Sequence, residues 1–134
     1  DVLEGRPTRG RSARIIPNVV FTDPQVARVG LDERGARERG VRHEVASMPF
    51  GEIARAVETG ETAGLMKVIV DPDTERVLGA SLVGAEAGEL LHVFVALMQA
   101  GAPARAIVDA EFTHPTFAEG LQSLVMKLPR YAQR

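Results

Sequence analysis

The chain has no cysteine. That absence removes disulfide frameworks, thiolate zinc sites and cysteine nucleophiles together, and it fits a reducing cytoplasm, the compartment expected here. No apolar run approaches the roughly 20 residues that span a bilayer, and no signal peptide opens the sequence, so no membrane partner is expected. An excess of one charge is missing too. Sixteen Lys and Arg against 18 Asp and Glu give a formal net charge of −2, so no global field recruits nucleic acid. The four arginines of residues 1–14, "DVLEGRPTRGRSAR", come without an aromatic to stack on bases, and a nucleic-acid arm is set aside.

Motifs that carry chemistry are equally scarce. No Gly-x-Gly-x-x-Gly occurs, so no dinucleotide fold is encoded. "GASLVGAE", residues 79–86, has the Gly-x4-Gly spacing that begins a phosphate loop. It continues with Ala85 and Glu86, where such a loop needs Lys and then Ser or Thr, and a carboxylate there would repel phosphate. Its glycines read instead as relief of crowding at a strand-to-helix turn. His43, His92 and His114 show no i, i+4 ligand spacing, so no metal site is expected. No Gly-x-Ser-x-Gly elbow presents a serine nucleophile.

What remains is the composition of an ordinary globular domain, 134 residues with 45% apolar and 25% charged side chains, enough for one domain with a sizeable core. "NVVF" reads as a short strand. In "TDPQVARVG", Thr22 and Gln25 are spaced as a capping box around a proline, which predicts a single helical turn. "LDERGARERG" predicts a short solvated helix capped by Asp32, braced by Glu33 and Arg37, and ended by Gly40. "VRHEVASMPF" alternates as a strand, with His43 half-covering one face. Residues 51–63 read as loop with one helical turn. "LMKVIV" and "VLGASLV" around "DPDTER" predict an antiparallel hairpin.

"AEAGELLHVFVALMQAG" predicts a helix of three to four turns, stopped by Gly101 and Pro103. Only Glu89, His92, Ala96 and Gln99 form its polar strip, so its apolar arc is too wide for packing on one sheet face alone. A second subunit covering it is the favoured explanation. A last helix over 116–128 follows from Leu121, Leu124, Val125 and Leu128, with Pro129 at its end. Together these elements predict an α+β fold: a mostly antiparallel sheet with helices packed on one side.

"EFTHPTFAEGLQ", residues 111–122, admits two explanations. Thr116 and Glu119 fit a capping box, with His114 and Pro115 as a mere approach to the helix. Alternatively, Pro115 disfavours helical geometry at His114 and leaves its ring free to swing to Glu119. Inside a regular helix, residues five apart lie about 140° apart and cannot pair. A carboxylate on one ring nitrogen would fix the tautomer and leave the other nitrogen outward, which is a general acid–base device. With no cysteine and no cofactor fingerprint in its own chain, that device needs a substrate supplied by another chain or domain.

Three segments in order, "IPNVVFTDPQVARVGL", "ETAGLMKVIVDPDTERVLGASLVGAEAGELL" and "FTHPTFAEGL", carry a family resemblance over about residues 15–128. The sequence resembles the C-terminal dimerisation domain of the FAD-dependent pyridine nucleotide–disulfide oxidoreductases, which include dihydrolipoamide dehydrogenase, glutathione reductase and mercuric reductase. The resemblance implies that residues 1–14 are a linker remnant from a preceding nucleotide-binding domain and that residues 15–134 are the dimerisation domain of a homodimer. It implies FAD and NAD(P) in the full-length parent, and neither in this fragment, which alone is expected to be inactive. It assigns His114 and Glu119 as catalytic residues, an acid–base pair lent to the partner subunit's thiol–disulfide site. It also places His114 and Pro115 against the partner's flavin. Mercuric and large thioredoxin reductases carry C-terminal cysteine pairs, so dihydrolipoamide dehydrogenase-like activity is favoured, with glutathione reductase-like activity beside it. Outside the resemblance stand a non-catalytic dimerisation module, in which "THPTFAE" is only a helix cap, and a small-ligand binder without redox chemistry.

Overall fold

The computed structural model describes residues 14–132; most of the expected linker, residues 1–13, lies outside the described residues. Five strands, β1 (Asn18–Val20), β2 (Gln25–Gly30), β3 (Glu44–Pro49), β4 (Leu65–Val70) and β5 (Val77–Gly84), form one sheet in the order β1-β2-β5-β4-β3. Every pairing is antiparallel. Among the described residues five α-helices accompany it, α1 (Glu33–Glu38), α2 (Ala54–Thr59), α3 (Ala87–Ala100), α4 (Arg105–Val108) and α5 (Glu119–Met126), with one 3-10 turn at Phe50–Glu52. The α+β class and the antiparallel sheet are as the sequence predicts.

Strand alternation sorts the side chains. Ala27, Val29, Ala46, Met48, Met66, Val68, Ala80 and Leu82 are buried on one face, under Leu90, Leu91 and Phe94 of α3 and Leu121, Leu124 and Val125 of α5. An eight-residue helix is not stable alone. Burying the three α5 side chains contributes about 5–8 kcal/mol as an upper bound, and this fixes the helix that carries the site. The short α1 lies over the opposite face, where its Glu33 meets Lys67 of β4 at 2.6 Å. Asp32 caps it by accepting from the Gly35 N–H at 2.7 Å.

The hairpin forms as expected, its turn closed by Asp71, which accepts from the Asp73 and Thr74 N–H groups. Gly79 and Gly84 earn their places by close approach: a Cβ at Gly79 would overlap the Leu31 backbone, and one at Gly84 the Phe50 ring. No helix is long and apolar enough to cross a membrane, among the described residues.

Four elements differ from expectation. "TDPQVARVG" is not a helical turn but the run into β2. The Thr22 hydroxyl donates to the Pro24 carbonyl at 2.8 Å and the Gln25 side chain accepts from the Gly88 N–H at 3.0 Å, so neither closes a capping box. Inward Ala27 and Val29 give the segment its strand period. β3 begins at Glu44 rather than Val41, because the Val41 N–H still bonds back to the Ala36 carbonyl of α1. His43 precedes the strand, half-buried, with Nδ1 2.8 Å from the Val41 carbonyl. Within residues 51–63, α2 runs six residues on buried Ile53 and Ala56, ending at Gly60 with φ 76°. The last helix starts at Glu119, not Thr116, and α4 precedes it.

Candidate functional site

After α3 the chain turns at Gly101, passes through α4, and rises in an irregular arch over residues 109–118 before entering α5. His114 sits on this arch, and the His114–Pro115 peptide is cis. The imidazole Nδ1 lies 2.8 Å from Glu119 Oε2 and 3.1 Å from Oε1. A carboxylate only accepts, so the Nδ1 atom carries the proton and donates. Nε2 has no hydrogen-bond partner among the described residues.

Exposure divides the pair. The His114 side chain is 70% exposed, while Glu119 is 18% exposed. The acid is therefore a shielded anchor and the ring an open head. An arrangement of this kind holds one tautomer and offers Nε2 to a group from outside.

The reciprocal bonds of a capping box form as well, in the turn that leads into α5. Thr116 Oγ1 accepts from the Glu119 N–H at 3.2 Å and donates to the Thr113 carbonyl at 2.8 Å. Glu119 Oε1 accepts from the Thr116 N–H at 3.4 Å. One carboxylate thus serves both the helix start and the ring, and the two explanations of this segment are not exclusive.

The other histidines stand apart. His92 is exposed on α3 and His43 is tied to its own backbone. No three His, Cys, Asp or Glu side chains gather as a metal site, among the described residues. A groove of ≈ 460 Å³ beside Phe117 is lined by Asp23, Glu61 and Glu86 and by no Lys or Arg, so it does not fit the phosphates of a dinucleotide.

Gln122 is a contact that sequence spacing passes over. Its Nε2 donates to the carbonyls of Ile107, Val108 and Ala110 at 3.2, 3.0 and 2.7 Å. The available signal was its place three residues after Glu119, on the same side of α5.

The described residues thus form an α+β sheet-and-helix domain that raises a histidine–carboxylate pair at its rim. The family model for the pyridine nucleotide-disulphide oxidoreductase dimerisation domain matches residues 16–125, and the chain belongs to that family. It is 39% identical over 125 residues to the probable pyridine nucleotide-disulfide oxidoreductase RclA of Escherichia coli, covering 92% of this chain and 28% of that protein. It is 37% identical over 111 residues to the mitochondrial dihydrolipoyl dehydrogenase of Schizosaccharomyces pombe, covering 83% of this chain and 22% of that one. The solved structure of the HOCl-induced flavoprotein disulfide reductase RclA from E. coli superposes with a TM-score of 0.86 at 37% identity, over 93% of this chain and 29% of that one. The chain therefore spans about a quarter of the length of the relatives it matches.

Proposed function

We propose that this chain acts as the dimerisation domain of an FAD-dependent NAD(P)–disulfide oxidoreductase and lends His114 and Glu119 to the thiol–disulfide site of a partner subunit. The observation that carries this reading is the 2.8 Å bond from an open ring to a shielded carboxylate. That open ring has no cysteine thiol to serve in its own chain. The relatives named as disulfide reductases and dihydrolipoyl dehydrogenases supply the class of reaction, and a dihydrolipoamide dehydrogenase-like dithiol is the favoured substrate.

In this reading Nε2 takes the proton from a substrate thiol. The resulting thiolate attacks one sulfur of the enzyme's disulfide, forming one S–S bond as the other breaks. In the opposite direction the same nitrogen returns the proton to the departing thiol. Glu119 holds the ring and balances the positive charge while the proton rests on it. A bound flavin supplies the two-electron link between nicotinamide and disulfide, and His114 and Pro115 would abut its edge. The half-covered α3, with Val93, Val95, Leu97 and Met98 only partly buried, is the surface on which a second copy would pack.

His114→Ala in the full-length flavoenzyme tests this. The disulfide half-reaction is expected to slow by about 10²–10⁴-fold, with flavin reduction by nicotinamide unchanged. Equal loss in both half-reactions would refute it.

A further inference from the structure

We propose that Gln122 is a positioning residue for His114, fixing the backbone from which the arch springs; this rests on the acid–base reading above. The carbonyls of Ile107 and Val108 end α4, where a helix leaves acceptors short of partners; that of Ile107 also accepts the Ala110 N–H, at a long 3.3 Å. Ala110 is the first residue beyond its closing turn. One amide with two N–H groups serves all three carbonyls, the shortest contact, 2.7 Å, falling on Ala110. No other side chain donates to these carbonyls, among the described residues.

From Ala110 only three residues intervene before His114. Phe112 packs partly against the core, and the Thr113 carbonyl is held by Thr116. The arch is therefore gripped at its foot by Gln122 and at its head by Glu119. Both grips come from one face of α5, three residues apart, and α5 is seated by its buried leucines. A single rigid helix thus sets both the ring's bond and the start of the segment that carries the ring. Releasing the foot lets the arch move while Glu119 remains. A misplacement of about 1 Å in a reacting group can lower a rate by about 10²-fold.

Gln122→Met keeps the length and shape of the side chain and removes its donors. In the full-length flavoenzyme it is expected to slow the disulfide half-reaction by on the order of 10-fold, with flavin reduction unchanged. Gln122→Lys, which restores donors to the same carbonyls, is expected to recover most of the rate. In this chain alone, ¹⁵N spectra of the His114 ring should show the Nδ1–H form in the wild type. In Gln122→Met they should move toward averaged tautomers, with core methyl signals unchanged. If Gln122→Met lowers thermal stability but leaves both the rate and the ring signals at wild-type values, Gln122 only staples α4 to α5 and the proposal falls. Should Gln122→Met lose its fold, Gln122→Asn, which keeps the amide one methylene short, is judged by the same two readouts. His114→Ala separates the levels. If it slows the disulfide step and Gln122→Met does not, positioning alone fails. If His114→Ala leaves that step intact, the acid–base reading fails, and the ring spectra still decide whether Gln122 orients it.

Discussion

Glu119→Gln separates the two roles that meet at one carboxylate. Gln is as good a capping-box residue as Glu, so the helix start should survive. The bond to the Thr116 N–H, at 3.4 Å, is at the outer limit of hydrogen-bond geometry, so its share is a few tenths of a kcal/mol at most. The Thr116 Oγ1 contact is untouched. The ring that pairs with Glu119 is 70% exposed, and such pairs contribute about 0–1 kcal/mol. The total cost is therefore up to about 1 kcal/mol, or about 4 °C in Tm for a domain of this size. Catalysis should respond differently. A neutral amide still accepts from Nδ1–H but no longer balances the proton that arrives on Nε2. The disulfide half-reaction is expected to fall by about 10- to 10²-fold, part of what a positioned acid–base group contributes. Stopped-flow absorbance of the full-length flavoenzyme resolves flavin reduction by nicotinamide from reoxidation by disulfide, and calorimetry gives the Tm. If reoxidation keeps its wild-type rate, Glu119 is a cap and nothing more.

Tyr131 is buried, and its hydroxyl donates to Glu75 at 2.8 Å; burial first, and that bond second, push its pKa from 10.0 up to about 12. The folded state then binds this proton more tightly than the unfolded one, so the stability it contributes is whole below pH 10 and is lost as pH rises toward about 12. Tyr131→Phe should flatten the fall in Tm across that window, and parallel falls in both proteins would contradict this. Ala96 is exposed at the middle of the outward face of α3, so Ala96→Arg should cost a single subunit little yet weaken self-association. Sedimentation should show a wild-type dimer shifted toward monomer; a wild type that stays monomeric at high concentration would end the idea that a second copy covers this helix.

Legibility in the sequence followed the range of the deciding contacts. The β4–β5 hairpin was plain because its turn chemistry and both strands are contiguous, Asp71 closing it from within. The segment "TDPQVARVG" misled because its capping-box spacing is local, while what makes it a strand is pairing with β5, from Gln25↔Gly84 to Gly30↔Gly79. The four-residue α4 is too short to show a period, and its ends are satisfied from afar, by the Glu75 carbonyl and Gln122. A proline and a five-residue spacing made the His114–Glu119 contact one of two readings, beside a plain helix cap. That cap and pair coexist was not legible, because it depends on how two oxygens of one side chain are shared.

The margins of the sheet limit how copies of this molecule can meet. One border, β1, is three residues long, and the other, β3, ends in Pro49, which has no N–H to give. At the near end of β3, Arg130 clasps Glu44 at 2.7 Å. Neither border is a ready template for a neighbour's strand. Growth by continuing the ladder is thereby disfavoured, which would leave any contact between copies to faces and helices, whose extent is finite.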